Sequence, residues 1–375
     1  MSASVTAVEE TPGKAGRRHP ESGGAEQSRS AFARMLRKGK GPLPIIGSAL
    51  SLLAVMLFSL GLGKYPIAPK EILQFLCQKY FGATFFPAER MRLLNSILVE
   101  IRLPRILAAA LIGSALSTSG AAFQAMFVNP LVSPSLLGVL AGASFGAALG
   151  IVYLKSWYAV QIATFLGGLI AVVIAVGIAR VYRVNSTIML VLGGIISGAL
   201  FTSLLTLVKY LADPYNQLPV IVNWLMGSLT FSDRSMVIKT SIPICLGLLV
   251  LLLFSRHLNV LSMGDEEARS LGVNVNRVRL LVIFCATVVS TLTVVLAGTI
   301  AWVGLIVPHL TRMITGPDNR KLIPATILIG AAYLIVVDDI SRLAFSYEIP
   351  IGIVTALLGI PCFAFVLRNA RKGWS

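Results

Sequence analysis

Charge is what this sequence has least of. Only 13% of its 375 residues are Asp, Glu, Lys or Arg, where a soluble protein of that length carries roughly 25%. Acids are the scarcer half, 16 against 32 Lys and Arg, which leaves a formal net charge of +16. Apolar residues make up 56% of the chain and the mean hydropathy is +0.82. That balance excludes a soluble globular domain and points to an all-α polytopic membrane protein.

Other absences narrow the chemistry. The four cysteines, Cys77, Cys245, Cys285 and Cys362, form no CxxC pair and have no histidine at ligand spacing. Neither a disulfide scaffold nor a metal site is expected. There is no G-x-x-x-x-G-K-[ST] run, so the chain carries no phosphate-cradling loop of its own. No nucleophile and base fall together in a plausible site, which argues against an enzyme. Any uphill work must draw its energy from a partner chain.

Residues 1–41 differ in kind. "GKAGRRHPESGGAEQSRS" cannot bury a core and reads as a disordered basic tail. The tail stands far ahead of the first apolar run, and no small-residue cleavage site follows that run. An uncleaved first span is therefore expected rather than a signal peptide. Residues 42–370 form the membrane domain.

A span needs about 20 mostly apolar residues. Candidates run at 43–62, 106–126, 135–154, 158–179, 187–208, 238–255, 279–297, 322–341 and 350–368. The shorter "TIAWVGLIVPHLTRMI" at 299–314 makes a tenth if it packs inside the bundle. Ten spans put both termini on one side. With the N-terminus inside, 20 of the 32 Lys and Arg lie on the inner face, as the positive-inside rule requires. The topology is N-in, C-in, with a long outer loop at 63–105 and an inner loop at 256–278.

Gly138, Gly142, Gly146 and Gly150 recur every four residues in the third span, a stripe suited to close helix packing in lipid. Ionisable groups inside the spans are nearly absent. Asp338 and Asp339 lie near the outer end of the ninth, with Arg342 near enough to pair. No midplane carboxylate marks an ion-coupled carrier, so secondary transport is a remote alternative. The densest acidic cluster, Asp265 to Glu267 in "SMGDEEARSLGV", falls in the inner loop. Its acids suit the N-terminus of a short helix, and Ala268 and Leu271 would offer an apolar face to a groove. A merely solvated loop is the other reading of these residues.

Four stretches are similar to one family. "VEIRLPRILAAALIGSALSTSGAAFQAMFVNPLVSPSLLG" (99–138), "WLMGSL" (224–229), "GDEEARSLGV" (264–273) and "AGTIAWVGLIVPHLTRMITGPDNRKLIPATILIGAAYLIVVDDISRLA" (297–344), followed by "EIPIGIVTALLGIPCFAFVL" (348–367), resemble permease subunits of iron-siderophore, haem and vitamin B12 ABC importers. The resemblance covers about residues 43–370. It implies the vitamin B12 permease-like bundle and a homodimer with a path along the dimer axis, set in a bacterial or archaeal inner membrane.

The partners it implies are two copies of a cytoplasmic ABC ATPase and a periplasmic or lipid-anchored solute-binding protein, besides membrane lipid. No nucleic acid is implied. ATP and Mg belong to the ATPase, and this chain holds no cofactor or metal. Gly264, Asp265, Glu266, Glu267, Ala268, Arg269, Leu271 and Gly272 match the segment that contacts the ATPase, with Glu267 where the family pattern has Ala. Arg102, Arg105 and Arg342 match arginines that receive glutamates of the binding protein, a task to which a planar fork is suited. Asn129, Leu131, Ser186 and Thr187 match the cytoplasmic gate, although Ser186 also reads as an ordinary helix cap. A ferric siderophore is the expected cargo. Haem or cobalamin is the alternative.

Overall fold

The computed structural model describes residues 43–154, 156–181, 187–230 and 232–370, with side chains through 364. The tail at 1–41 and Ser186 lie outside the described residues.

The described chain is helical. α1 (Leu43–Gly61) is followed by two short helices, α2 (Pro69–Phe81) and α3 (Ala88–Asn95). A π-helical stretch, Ser96–Arg102, joins α3 to α4 (Leu103–Met126) without a break. After a short 3-10 turn at Pro134–Leu137 come α5 (Val139–Tyr153), α6 (Trp157–Val181), α7 (Thr187–Leu211), α8 (Gln217–Met226) and α9 (Arg234–Leu253). The remainder is α10 (Ser255–Leu261), α11 (Asp265–Ser270), α12 (Val275–Ala297), α13 (Val303–Thr315), α14 (Asn319–Leu343) and α15 (Ile351–Ala370).

Among the described residues, seven helices are long and apolar enough to cross a membrane. α5, α13 and the described part of α15 are shorter apolar helices at the other three expected positions. Two expectations need correction. The segment 63–105 is not a plain loop, because α2, α3 and the π turn occupy most of it. Its Ile67, Ile72, Phe75, Leu94 and Leu98 form a core of their own, which an amphipathic helix can build outside the bundle. Gly138 is not part of the third span either. It takes a left-handed φ of 79° that ends the 3-10 turn, a conformation glycine adopts without penalty.

α4 is the centre of the bundle. It packs against α9, α12, α13 and α14, and 83% of the best 18-residue window in 88–126 is buried, against 11% for α1. Small residues permit this approach. A Cβ on Gly113 would lie 2.1 Å from the Gly330 carbonyl oxygen, and one on Gly146 would lie 2.1 Å from that of Ala163. Backbones meet directly along both seams, so dispersion rather than a hydrophobic drive holds them. Hydroxyls add crosslinks: Ser114 Oγ donates to the Ile327 carbonyl at 2.9 Å and Ser117 Oγ to that of Thr326 at 3.1 Å. The glycine stripe of the third span does serve packing, with Gly142, Gly146 and Gly150 turned to α6.

Candidate coupling and docking sites

The two groups of site residues lie at opposite ends of α4. Its 24 residues rise about 36 Å at 1.5 Å each. Arg105 stands in its first turn, and Asn129 follows its last.

At the Asn129 end sits the acidic segment. Gly264 turns the chain with a φ of 117°, and Asp265, Glu266 and Glu267 fill the first turn of α11, where carboxylates face the free N–H groups. Two residues beyond its end Gly272 has a φ of 78°, while Val273 N–H donates back to the Ala268 carbonyl at 3.1 Å. Ala268 is fully buried and shares a core with Leu258, Leu261, Val275 and Val278. It therefore anchors α11 to the body instead of offering an apolar face to a partner. Met263 and Leu271 are 60% and 59% exposed, and Glu266, Glu267 and Arg269 between them in sequence are exposed as well.

Asp265 does not point at solvent alone. It accepts a 2.6 Å hydrogen bond from Nη2 of Arg279, a side chain of α12 that is 5% exposed. The same nitrogen lies 3.5 Å from Thr187 Oγ1 in the first turn of α7. Beside α11, Asn259 of α10 donates to Asp318 at 2.6 Å and accepts from Asn319 N–H at 2.7 Å, which ties α10 to the start of α14. Burial pushes the Asp318 carboxyl up, but hydrogen bonds from Arg320 and Asn259 outweigh it and hold the pKa at about 2.

The loop expected to gate the path is shaped by its own polar groups. Asn129 N–H donates to the Gln124 carbonyl at 3.1 Å, and its Oδ1 accepts from Leu131 N–H at 2.9 Å. Leu131 is left 54% exposed. Phe127, Val132, Leu190 and Ala268 belong to one buried cluster, so the acidic segment, this loop and the start of α7 meet at the same end of the bundle.

At the other end the three arginines part company. Arg102 is 5% exposed and donates to the carbonyls of Leu60 and Tyr65. It clamps the turn after α1. Arg105 uses Nε and Nη2 on Asp338 at 2.9 to 3.1 Å and Nη1 on Glu348 at 3.0 and 3.1 Å. Arg342 pairs with Asp339 and with Asp338 at 3.3 Å, and Ser59 donates to Asp339 at 2.7 Å. Glu348 also accepts from Thr230 Oγ1 at 2.9 Å. Partial burial raises the Glu348 carboxyl, but the Arg105 charge and the Thr230 hydroxyl outweigh it and leave the pKa lowered.

Glu348, Ser59 and the link made by Arg279 carry no sequence signal that singles them out. Glu348 stands two residues before Pro350, with no local pattern to separate it from an ordinary loop acid.

The chain as a whole has counterparts among known proteins. A family model described as the FecCD transport family matches residues 51–369. The chain belongs to the FecCD transport family. It is 36% identical over 332 residues to the molybdate import system permease protein MolB of Haemophilus influenzae, covering 88% of this chain and 97% of that one. Against a probable iron chelatin transport system permease protein of Helicobacter pylori it is 36% identical over 287 residues, 76% of this chain and 87% of the relative. A solved inward-facing structure of a metal-chelate type ABC transporter superposes with a TM-score of 0.78 at 35% identity, covering 88% of this chain and 99% of the other. Further relatives are named for hemin and cobalamin. This FecCD permease is a multi-pass protein of the inner membrane and a transport subunit of an ABC importer.

Proposed function

We propose that this FecCD permease carries a ferric siderophore into the cytoplasm. ATP is hydrolysed on a separate subunit that docks on α11, and the cargo is handed over by a solute-binding protein at the opposite end of the bundle. The observation that carries the reading is α11 itself. A short acidic helix pinned from behind by Ala268 and Arg279 leaves Met263, Glu266, Glu267, Arg269 and Leu271 outward as one mixed apolar and charged face. A cytoplasmic ATPase with a complementary groove is the partner that face fits.

N-in, C-in topology puts that face in the cytoplasm. Asn129, Leu131 and Thr187, with Ser186 beside it, form the inner gate. Two copies of the chain pair around the path, each with its own ATPase. At the outer end, Arg102, Arg105 and Arg342 are the residues that meet carboxylates of the binding protein. Charge pairing of that kind steers docking as well as holding it.

Cargo is the finer question, since the relatives are named for iron chelates, hemin, cobalamin and molybdate. Support for an iron chelate comes from "WLMGSL", which resembles siderophore permeases more than the cobalamin one. Haem or cobalamin is the second reading. Uptake of labelled ferric siderophore, haem, cobalamin and molybdate, measured in cells lacking this chain, tests the proposal. Loss confined to ferric siderophore, restored by the intact gene but not by a Glu266/Glu267 double alanine variant, supports it. Loss of another solute overturns the cargo. Uptake indifferent to the double variant overturns the coupling.

A further inference from the structure

We infer that Arg279 is a positioning residue that carries a displacement of α11 to the first turn of α7, and so links the ATPase contact to the inner gate. The inference rests on the proposed reading of α11 as that contact.

Two contacts that tie α11 to the body of the protein matter here. One is Ala268, whose small side chain is fully buried among Leu258, Leu261, Val275 and Val278. The other is the ion pair between Asp265 and Arg279 at 2.6 Å. The first is non-directional. The second is directional and charge-assisted, so Arg279 must follow if Asp265 moves.

Arg279 is placed to pass that movement on. Its side chain is only 6% exposed, while that of Asp265 is 27% exposed, so the pair runs from the surface into the packed interior. At the inner end the nitrogen that holds Asp265 also lies 3.5 Å from Thr187 Oγ1. This approach joins α11 to α7 through one side chain. Leu190, one turn along α7, packs in the same core as Ala268 and Val278. Such a core is close-packed and yields by discrete repacking rather than by smooth deformation.

One further feature suits a moving part. Nε of Arg279 is buried and has no hydrogen-bond partner among the described residues. A guanidinium has five N–H donors, and an unmet buried donor is costly. Lysine, a point charge without the planar fork, would hold Asp265 but would not reproduce both contacts in fixed geometry.

The test uses hydrogen–deuterium exchange on the full chain assembled with its ATPase, comparing the nucleotide-free complex with one trapped by ATP and vanadate. In the unsubstituted complex, trapping is expected to change exchange both at 264–272 and at 187–195. In Arg279→Met the change at 264–272 is expected to persist and the change at 187–195 to be lost. Arg279→Lys is expected to retain part of it. Equal changes at 187–195 in the unsubstituted and Met complexes overturn the relay while leaving the ATPase contact standing. No nucleotide-dependent change at 264–272 in the unsubstituted complex overturns the contact itself. If Arg279→Met does not assemble, Asp265→Ala, which removes both the charge and the acceptor from the exposed end of the pair, is read in the same way. Retention of the change at 187–195 in that variant overturns the relay.

Discussion

Arg105 grips Asp338 from across the bundle, through Nε and Nη2 at 2.9 to 3.1 Å, although 233 residues separate them in the chain. Asp338 is 2% exposed and also holds Arg342 at 3.3 Å. Removing it would leave Arg105 with Glu348 alone and Arg342 with Asp339 alone. Asp338→Ala is expected to cost up to about 3–5 kcal/mol, the upper range for removing one partner of a buried pair. Glu348→Gln breaks a pair whose acid is 36% exposed and should cost under about 1 kcal/mol. Thermal unfolding of the purified variants in detergent ranks the two, and equal losses would refute the assignment of Asp338 as the hub.

Glu348 makes a second prediction about docking. It occupies Nη1 of Arg105. Glu348→Gln uncovers that charge and raises the local positive potential. Affinity for an acidic binding-protein surface is expected to rise, with a steeper loss on adding salt. A titration of the binding protein at two ionic strengths measures both. Unchanged affinity and salt slope would remove Arg105 from the docking surface.

The glycine seams are sensitive in a way that other glycines are not. Gly113→Ala drives a methyl to 2.1 Å from the Gly330 carbonyl, whereas nothing lies within 4 Å of a Cβ on Gly177. The first substitution is expected to destabilise by about 1–3 kcal/mol or more through overpacking. Gly177→Ala, inside α6, should be neutral or slightly stabilising, since Ala is the better helix former. Melting midpoints of the two variants decide it.

Gly272 is constrained by its backbone rather than by its surroundings. Its φ is 78°, and a Cβ at this position would meet no atom within 4 Å. Asparagine visits that conformation at small cost while valine resists it. Gly272→Asn is therefore expected to keep ATPase co-purification, and Gly272→Val to lose most of it while the protein still inserts in the membrane. Retained association in the valine variant would count against α11 as the contact.

Acid should release the tie between α10 and α14. Asp318 has a pKa lowered from 3.8 to about 2, so its folded form binds protons less readily than its unfolded form. The stability it contributes is present above about pH 4 and is lost as pH falls through about 2. The unsubstituted protein should out-melt Asp318→Asn at neutral pH, with the difference closing across that window. A difference independent of pH would assign the effect to packing.

Much of this architecture is written in local runs of residues. The apolar stretch at 187–208 and the helix α7 at Thr187–Leu211 nearly coincide, because span length follows from bilayer thickness and side-chain hydropathy, both read one segment at a time. The acidic first turn of α11 is local for the same reason: carboxylates beside free N–H groups need no distant partner. The helical content of 63–105 is not legible as membrane span, since α2 and α3 mix Lys, Glu and Arg with their apolar residues.

What tertiary structure alone decided is which charges are already engaged. Arg102, Arg105 and Arg342 look alike in sequence as basic residues at helix ends. Yet Arg102 is held by two carbonyls, Arg105 by Asp338 and Glu348, and Arg342 by the two aspartates of its own helix. Ala268, expected outward, turns inward, and Arg279, unremarkable in sequence, is the partner of Asp265. Hydropathy sums over neighbours along the chain. A salt bridge depends on how two helices rotate against each other, and that is set by packing among residues hundreds of positions apart.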